Sequence, residues 1–161
     1  MAQLAKGGPA VEATEIIVPQ PTPGEALSGA PLVCAVRGLG RTLDFAIQEA
    51  RETKRPLYLL FIRALPVLTE TDQGRKWQED DEARQIFAYA FRNAHGHPVL
   101  PCYAVSDAPA ETIVDITATM GASLLLLGAT TRGGLAGLLG GNIVRKVSSL
   151  LPEEIHLLIY A

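Results

Sequence analysis

The chain has 161 residues, of which 48% are hydrophobic and 19% charged, and its net charge is −3. That length and apolar content fit one compact domain with a true core and exclude a disordered chain. The acidic balance, with no long basic run, excludes nucleic acid as the main partner, because duplex binding needs clustered positive charge.

Residues 1–30 read as a flexible linker or arm. The stretch "PQPTPGEALSGAP" joins prolines, glycines and small polar residues without helical periodicity, and only "EIIV" (15–18) has the character of a short edge strand. No apolar run approaches the ~20 residues of a membrane span. Lys6 is followed by Gly-Gly-Pro and not by the apolar core of a signal peptide. A cytoplasmic location is expected.

From residue 31 to 161 the pattern is regular and reads as one α/β domain. "LVCAVR" (32–37) is an apolar strand, followed by Gly38-Leu39-Gly40. From Thr42 to Thr53, Leu43, Ala46, Ile47 and Ala50 recur at the spacing of one helix face, and Pro56 stops the helix. "LYLLFI" (57–62) is the second strand. A long helix is predicted from about Arg75 to Ala94, with Ile86, Phe87, Ala90 and Phe91 on its apolar side. The acidic run Glu79-Asp80-Asp81-Glu82 reads as a solvated helix end, favourable to the dipole, and not as a metal site.

"VLPCYAV" (99–105) is the third strand, and Pro101 points to an edge position. "SDAPAET" opens the next helix, with Ser106 or Asp107 as its cap, Pro109 in its first turn, and Ile113, Ile116, Thr117 and Met120 on one face. "SLLLLG" (123–128) is apolar throughout, as in a strand buried on both faces of a parallel sheet. A glycine-rich stretch, "GATTRGGLAGLLGGN" (128–142), leads to a short helix with Ile143, Val147 and Leu150, and "IHLLIY" (155–160) is the last strand. Cys34 and Cys102 lie in apolar runs and read as buried, reduced thiols. His95, His97 and His156 have no metal-binding spacing, so no metal is predicted.

Strict alternation of strand and helix predicts a three-layer α/β/α fold around a five-stranded parallel sheet. Ligands of such sheets bind beyond the carboxyl ends of the strands, at the switch point. Function is therefore expected at Arg37–Arg41, Ile62–Leu65, Val105–Asp107 and Gly128–Asn142. The P-loop template fails there: Gly128-x4-Gly133 is followed by Gly134 and Leu135, without the Lys and Ser/Thr that hold phosphate and magnesium. The dinucleotide fingerprint is incomplete: Gly38-x-Gly40 follows the first strand, but Leu43 takes the third glycine's place and Arg63 stands where an acid would end the second strand.

From about Pro31 to Ala161 the chain resembles a universal stress protein domain. The resemblance rests on the element order, the apolar strand before a glycine-rich loop, and the ending "NIVRKVSSLLPEEIHLLIY". It implies an adenine nucleotide alpha hydrolase-like fold. ATP-binding members carry Gly-x2-Gly-x9-Gly-Ser/Thr after the fourth strand. Here Gly128 and Gly141 match, while Thr131 and Asn142 replace glycine and Ser/Thr, and Arg37 stands where the family has an aspartate near the adenine. The stretches "AVRGLGRTLDFAIQEAR", "CYAVSDAPAETIVDITATMGASLLLLGA" and "LLGGNIVRKVSSLLPEEIHLLIYA" further resemble the C-terminal universal-stress-like domains of amino-acid permeases of the amino acid–polyamine–cation type. That implies attachment to, or association with, a membrane transporter, and the wider resemblance implies a homodimer formed through the last strand.

The candidate site is Arg37, Gly38, Arg63, Gly128, Thr130, Thr131, Arg132, Gly141 and Asn142, binding ATP, AMP or another nucleotide, or a different phosphate ligand. Arg37, Arg63 and Arg132 fall at or just past predicted strand ends, with Arg41 one turn into the first helix, so arginine forks would rim the crevice. The plainer reading pairs these arginines with Asp44 and Asp107, and makes Asn142 the N-cap of "IVRKVSSLL". No Ser-His-Asp or Cys-His arrangement is legible, so a non-catalytic domain is expected. It would either sense a nucleotide or serve, free of nucleotide, as a dimeric module regulating a tethered transporter.

Overall fold

The structure, a computed structural model, describes residues 29–128 and 143–160. Five strands, β1 (Leu32–Ala35), β2 (Leu57–Ala64), β3 (Val99–Ser106), β4 (Leu124–Gly128) and β5 (His156–Tyr160), form one sheet in the order β3-β2-β1-β4-β5. Every neighbouring pair is parallel. Leu32 pairs with Leu57 on one side and Leu124 on the other, so the three central strands start level.

Strand alternation sends side chains to two separate cores. Leu32, Cys34, Leu57, Leu59 and Phe61 meet Leu43, Ala46, Ile47 and Ala50 of α1 (Arg41–Thr53) and Ala83, Ile86, Phe87 and Ala90 of α3 (Asp81–Asn93). Val33, Ala35, Leu60 and Ile62 face the other way, onto Ile113 and Ile116 of α4 (Pro109–Thr119) and Ile143 and Val147 of α5 (Ile143–Leu150). This is the expected three-layer α/β/α arrangement. Pro101 lies in β3, which is an edge strand, as its missing N–H requires.

The long helix predicted over 75–94 is not continuous. A short α2 (Glu70–Gln73) and a 3₁₀ turn (Trp77–Glu79) precede α3, which starts at Asp81. The cause is Asp80, whose extended backbone turns its carboxylate inward. There it accepts from the Ala83 N–H at 3.3 Å as the N-cap of α3. Ahead of α4 the capping also differs from expectation. Ala108 is the N-cap residue and makes no side-chain cap. Ser106 instead accepts from the Ala108 N–H at 2.9 Å and bonds Thr112 at 2.7 Å, an ST-type turn that closes the end of β3. Residues 1–28, which hold most of the predicted arm, lie outside the described residues.

Candidate functional site

The chain builds β1, β2 and β3 outward in one direction and then returns to place β4 on the other side of β1. The strand order therefore reverses between β1 and β4. Helices leave those two strands toward opposite faces, and in sheets of this kind the ligand crevice lies at the carboxyl ends of the strands. The register pairs Ala35 with Leu127, which sets Gly128 level with Val36. Arg37 and Gly38 follow β1 after Val36. Three of the sequence-predicted site residues, Arg37, Gly38 and Gly128, thus stand at or just past the ends of the two strands between which the order reverses. Gly38 is exposed, and added side-chain atoms at Gly38 or Gly40 would meet nothing within 4 Å, so this margin is open. Thr130, Thr131, Arg132, Gly141 and Asn142 lie outside the described residues.

Arg63 ends β2, one strand further out. It shares a platform with Arg37, since the two guanidinium carbons lie 5.1 and 5.6 Å from the centre of the Phe61 ring. Those distances are within cation–π range. Phe61 is fully buried and stacks on Tyr103 of β3 at 5.9 Å. The platform follows from the sequence, because Phe61 and Arg63 are two residues apart on one strand face. Neither Phe61 nor Asp80 was singled out from sequence, although that two-residue spacing was visible.

The two arginines have different surroundings. Arg63 grips Asp80 through Nε at 2.9 Å and Nη2 at 2.7 Å, and reaches Glu82 at 3.3 Å. Asp80 is only 3% exposed and also accepts from the Tyr103 hydroxyl at 2.9 Å. The expected solvated acidic run is therefore partly an interior anchor, and the partners of Arg63 are Asp80 and Glu82 in place of Asp44 or Asp107. Asp44 instead accepts from the Tyr89 hydroxyl at 2.6 Å. Burial pushes the Asp80 carboxyl up, but Arg63, Tyr103 and the Ala83 N–H outweigh it and hold it below its ordinary value. Its hydrogen bond to Asp80 raises Arg63.

Arg37 is half-buried, yet its Nε and Nη1 are shielded from solvent and have no hydrogen-bond partner among the described residues. Burial, and then the charge of Arg63, lower its pKa. A guanidinium has only donors to offer, and leaving them unmet is costly. Arg37 thus carries two shielded donors near the end of β1 that no described residue meets.

Other chemistry in the described residues is limited. Burial pushes the Cys34 and Cys102 thiols up to about 12, which makes both poor nucleophiles. Among the described residues no group of three or more His, Cys, Asp or Glu is placed to hold a metal ion. No helix there is long and apolar enough to cross a membrane. An open groove of about 700 Å³ runs between α1 and the end of α3, lined by Asp44, Gln48, Arg51, Asn93 and His95. It belongs to the outer surface of the helical layer, apart from the strand ends.

Comparison with known proteins places this geometry. A universal stress protein bound to cAMP shares the fold, with a TM-score of 0.59 and 19% identity over 82% of this chain and 96% of its own. The universal stress protein of Archaeoglobus fulgidus in complex with dAMP gives 0.57 and 22% over 81% and 97%. A family member from Burkholderia pseudomallei gives 0.55 and 15% over 80% and 94%. No curated protein sequence matches the chain. The pattern of the universal stress protein family matches residues 37–154, most of the chain and all of the crevice-forming elements from Arg37 onward, and the chain belongs to that family.

Proposed function

We propose that this domain binds a nucleotide, or another phosphate-bearing ligand, in the crevice between the ends of β1 and β4, and that it acts as a non-catalytic regulatory module on the cytoplasmic side of the cell. The observation that carries this reading is Arg37, which brings donors with no partner among the described residues to the end of the strand where the sheet order reverses. Gly128 faces it across one strand spacing, and an adjoining glycine-rich stretch continues in sequence. The complexes of related proteins with cAMP and dAMP support a nucleotide as the ligand class. Thr130, Thr131, Arg132, Gly141 and Asn142 complete the proposed site for ATP, AMP or another nucleotide, and no metal is proposed in it.

The proposal of a non-catalytic role is supported by the chemistry already committed. Asp80 is held by Arg63 and Tyr103, and both thiols are buried. Thermal melting with ATP, AMP and cyclic dinucleotides at millimolar concentration tests the binding. At least one is expected to raise the melting temperature, as mass action requires of a ligand that binds only the folded chain. No shift with any of them contradicts the proposal. Sustained ATP hydrolysis by the pure chain, abolished by changing Asp107, would contradict the non-catalytic role.

A second reading has its own support. Among the described residues β5 is an edge strand with Leu158 37% exposed and Leu157 and Ile159 half-buried, an apolar margin with pairing capacity. In this reading the domain is a nucleotide-free homodimer, joined through β5, that regulates a tethered amino-acid transporter. Light scattering at two concentrations tests the dimer, and a monomer at both counts against it.

A further inference from the structure

Arg37 does not point along β1 into open solvent. It leans across the sheet toward β2, over the Phe61 ring. Gly128 lies on the opposite side of β1. Strands in a sheet are about 4.8 Å apart, so the end of β4 and the platform on β2 stand roughly 10 Å apart, two strand spacings. A nucleotide anchored by phosphate beside Gly128 would bring its base over the end of β1, against Arg37. Leu39, 56% exposed, stands beside this margin and offers apolar surface to the plane of a base.

The kind of group Arg37 wants follows from the charges around it. Those acting on it are Arg63, Glu82 and Asp80. Among the described residues these two cations are balanced by two carboxylates, and a phosphate there would face Asp80 and Glu82. What is unmet is hydrogen bonding, because Nε and Nη1 have donors and no acceptor among the described residues. A neutral acceptor fits this demand. A base edge with an exocyclic amino group does not, because it sets donor against donor.

Resting on the crevice reading above, we propose that Arg37 selects the base of the bound nucleotide. It favours an oxo-purine, whose edge presents a carbonyl and a ring nitrogen as acceptors, over an amino-purine. Arginine on that oxo edge is the commonest specific contact by which proteins read guanine in nucleic acid, whereas an amide side chain suits adenine.

Calorimetric titration of the full chain with IMP and AMP tests this, because the two differ at the purine 6-position. IMP is expected to bind about tenfold more tightly, and GMP should follow IMP. Arg37→Gln is expected to bring AMP level with IMP or ahead of it, and Arg37→Ala to abolish the preference. Binding of AMP by the native chain as tight as that of IMP overturns the base selection and leaves the crevice reading standing. So does a preference that survives Arg37→Ala. If inorganic phosphate binds the native chain and that binding is lost in Arg37→Ala, Arg37 is a phosphate contact and the proposal also fails. If no nucleotide binds at all, the crevice reading fails and this proposal goes with it. The native comparison of IMP with AMP needs no variant, so a folding defect in either substitution cannot shield the proposal.

Discussion

Two arginines rest on one phenylalanine, and among the described residues only one of them has a hydrogen-bond partner. Arg63 and Asp80 form a bidentate pair in which Asp80 is almost wholly enclosed. Removing Asp80 takes from the largely buried Arg63 its bidentate partner and leaves it only Glu82 among the described residues. Asp80→Ala is therefore expected to cost about 3 kcal/mol of stability, read by urea denaturation. A loss within the noise of a surface substitution would show the pair to be incidental. The pH dependence has a definite sign. The Asp80 carboxyl is held below its ordinary value in the folded chain. Its contribution is therefore complete above the unfolded value, near pH 4, and fades as the pH falls toward the lower folded value. Asp80→Asn is expected to flatten the acid limb of the stability–pH curve below about pH 4 and to leave its slope unchanged near neutrality. An unaltered acid limb would mean that other carboxylates set it.

At the scale of elements, helix ends decide more than helix middles. α4 stops at Gly121, whose φ of +66° lies in the left-handed region. The Gly121 N–H returns to the Ala118 carbonyl at 3.0 Å and the Ala122 N–H to the Thr117 carbonyl at 3.2 Å, the bond pattern of a Schellman end. α1 stops in the same way, but the left-handed position is taken by Lys54, with φ of +54°. The two sites give opposite expectations. Gly121→Ala should destabilise by about 1 kcal/mol through backbone conformation alone, because no atom crowds that position. Lys54→Gly should stabilise by up to about 1 kcal/mol. Melting temperatures that fall for the first and rise for the second are the expected outcome, and the same sign for both would contradict it.

The sheet strands were legible because apolar runs bounded by Gly and Pro leave few alternatives, as in "SLLLLG". The end of the second helical segment was not. Acidic residues read as solvent-facing, and nothing local says that one of four turns inward to meet an arginine that precedes it by seventeen residues. The site was legible in part for the same reason. Arg37 and Gly128 fall at strand ends, which periodicity locates. Whether an arginine is spent on a carboxylate or left with open donors depends on packing between elements that are distant in sequence. The position of Arg37 could be read, but not that Nε and Nη1 lack a partner among the described residues.

At the scale of the whole molecule, topology puts the site where it is. A sheet of order β3-β2-β1-β4-β5 has its reversal between β1 and β4, whatever residues line it. The two cores hold the sheet rigidly from both faces, with Phe61, Tyr103 and Phe87 fully buried in one and Ile113 and Ile116 in the other. Ile113→Ala is expected to cost about 3 kcal/mol by leaving a cavity between α4 and the sheet, while nucleotide affinity stays unchanged because that layer faces away from Arg37. A large loss of affinity at full folding would instead link the α4 layer to the crevice. The proposed dimer uses β5, at the edge beyond β4, so dimerisation and ligand binding would involve adjacent but separate margins.

The central claim is that a ligand occupies the margin shared by β1 and β4. Nuclear magnetic resonance of the ¹⁵N-labelled chain, titrated with a purine nucleotide, tests it residue by residue. The account predicts that the amide signals of Arg37, Gly38 and Gly128 shift together and saturate with one binding constant. Shifts confined to the far groove, at His95 and Gly96, or no saturable shift at any amide, would contradict it.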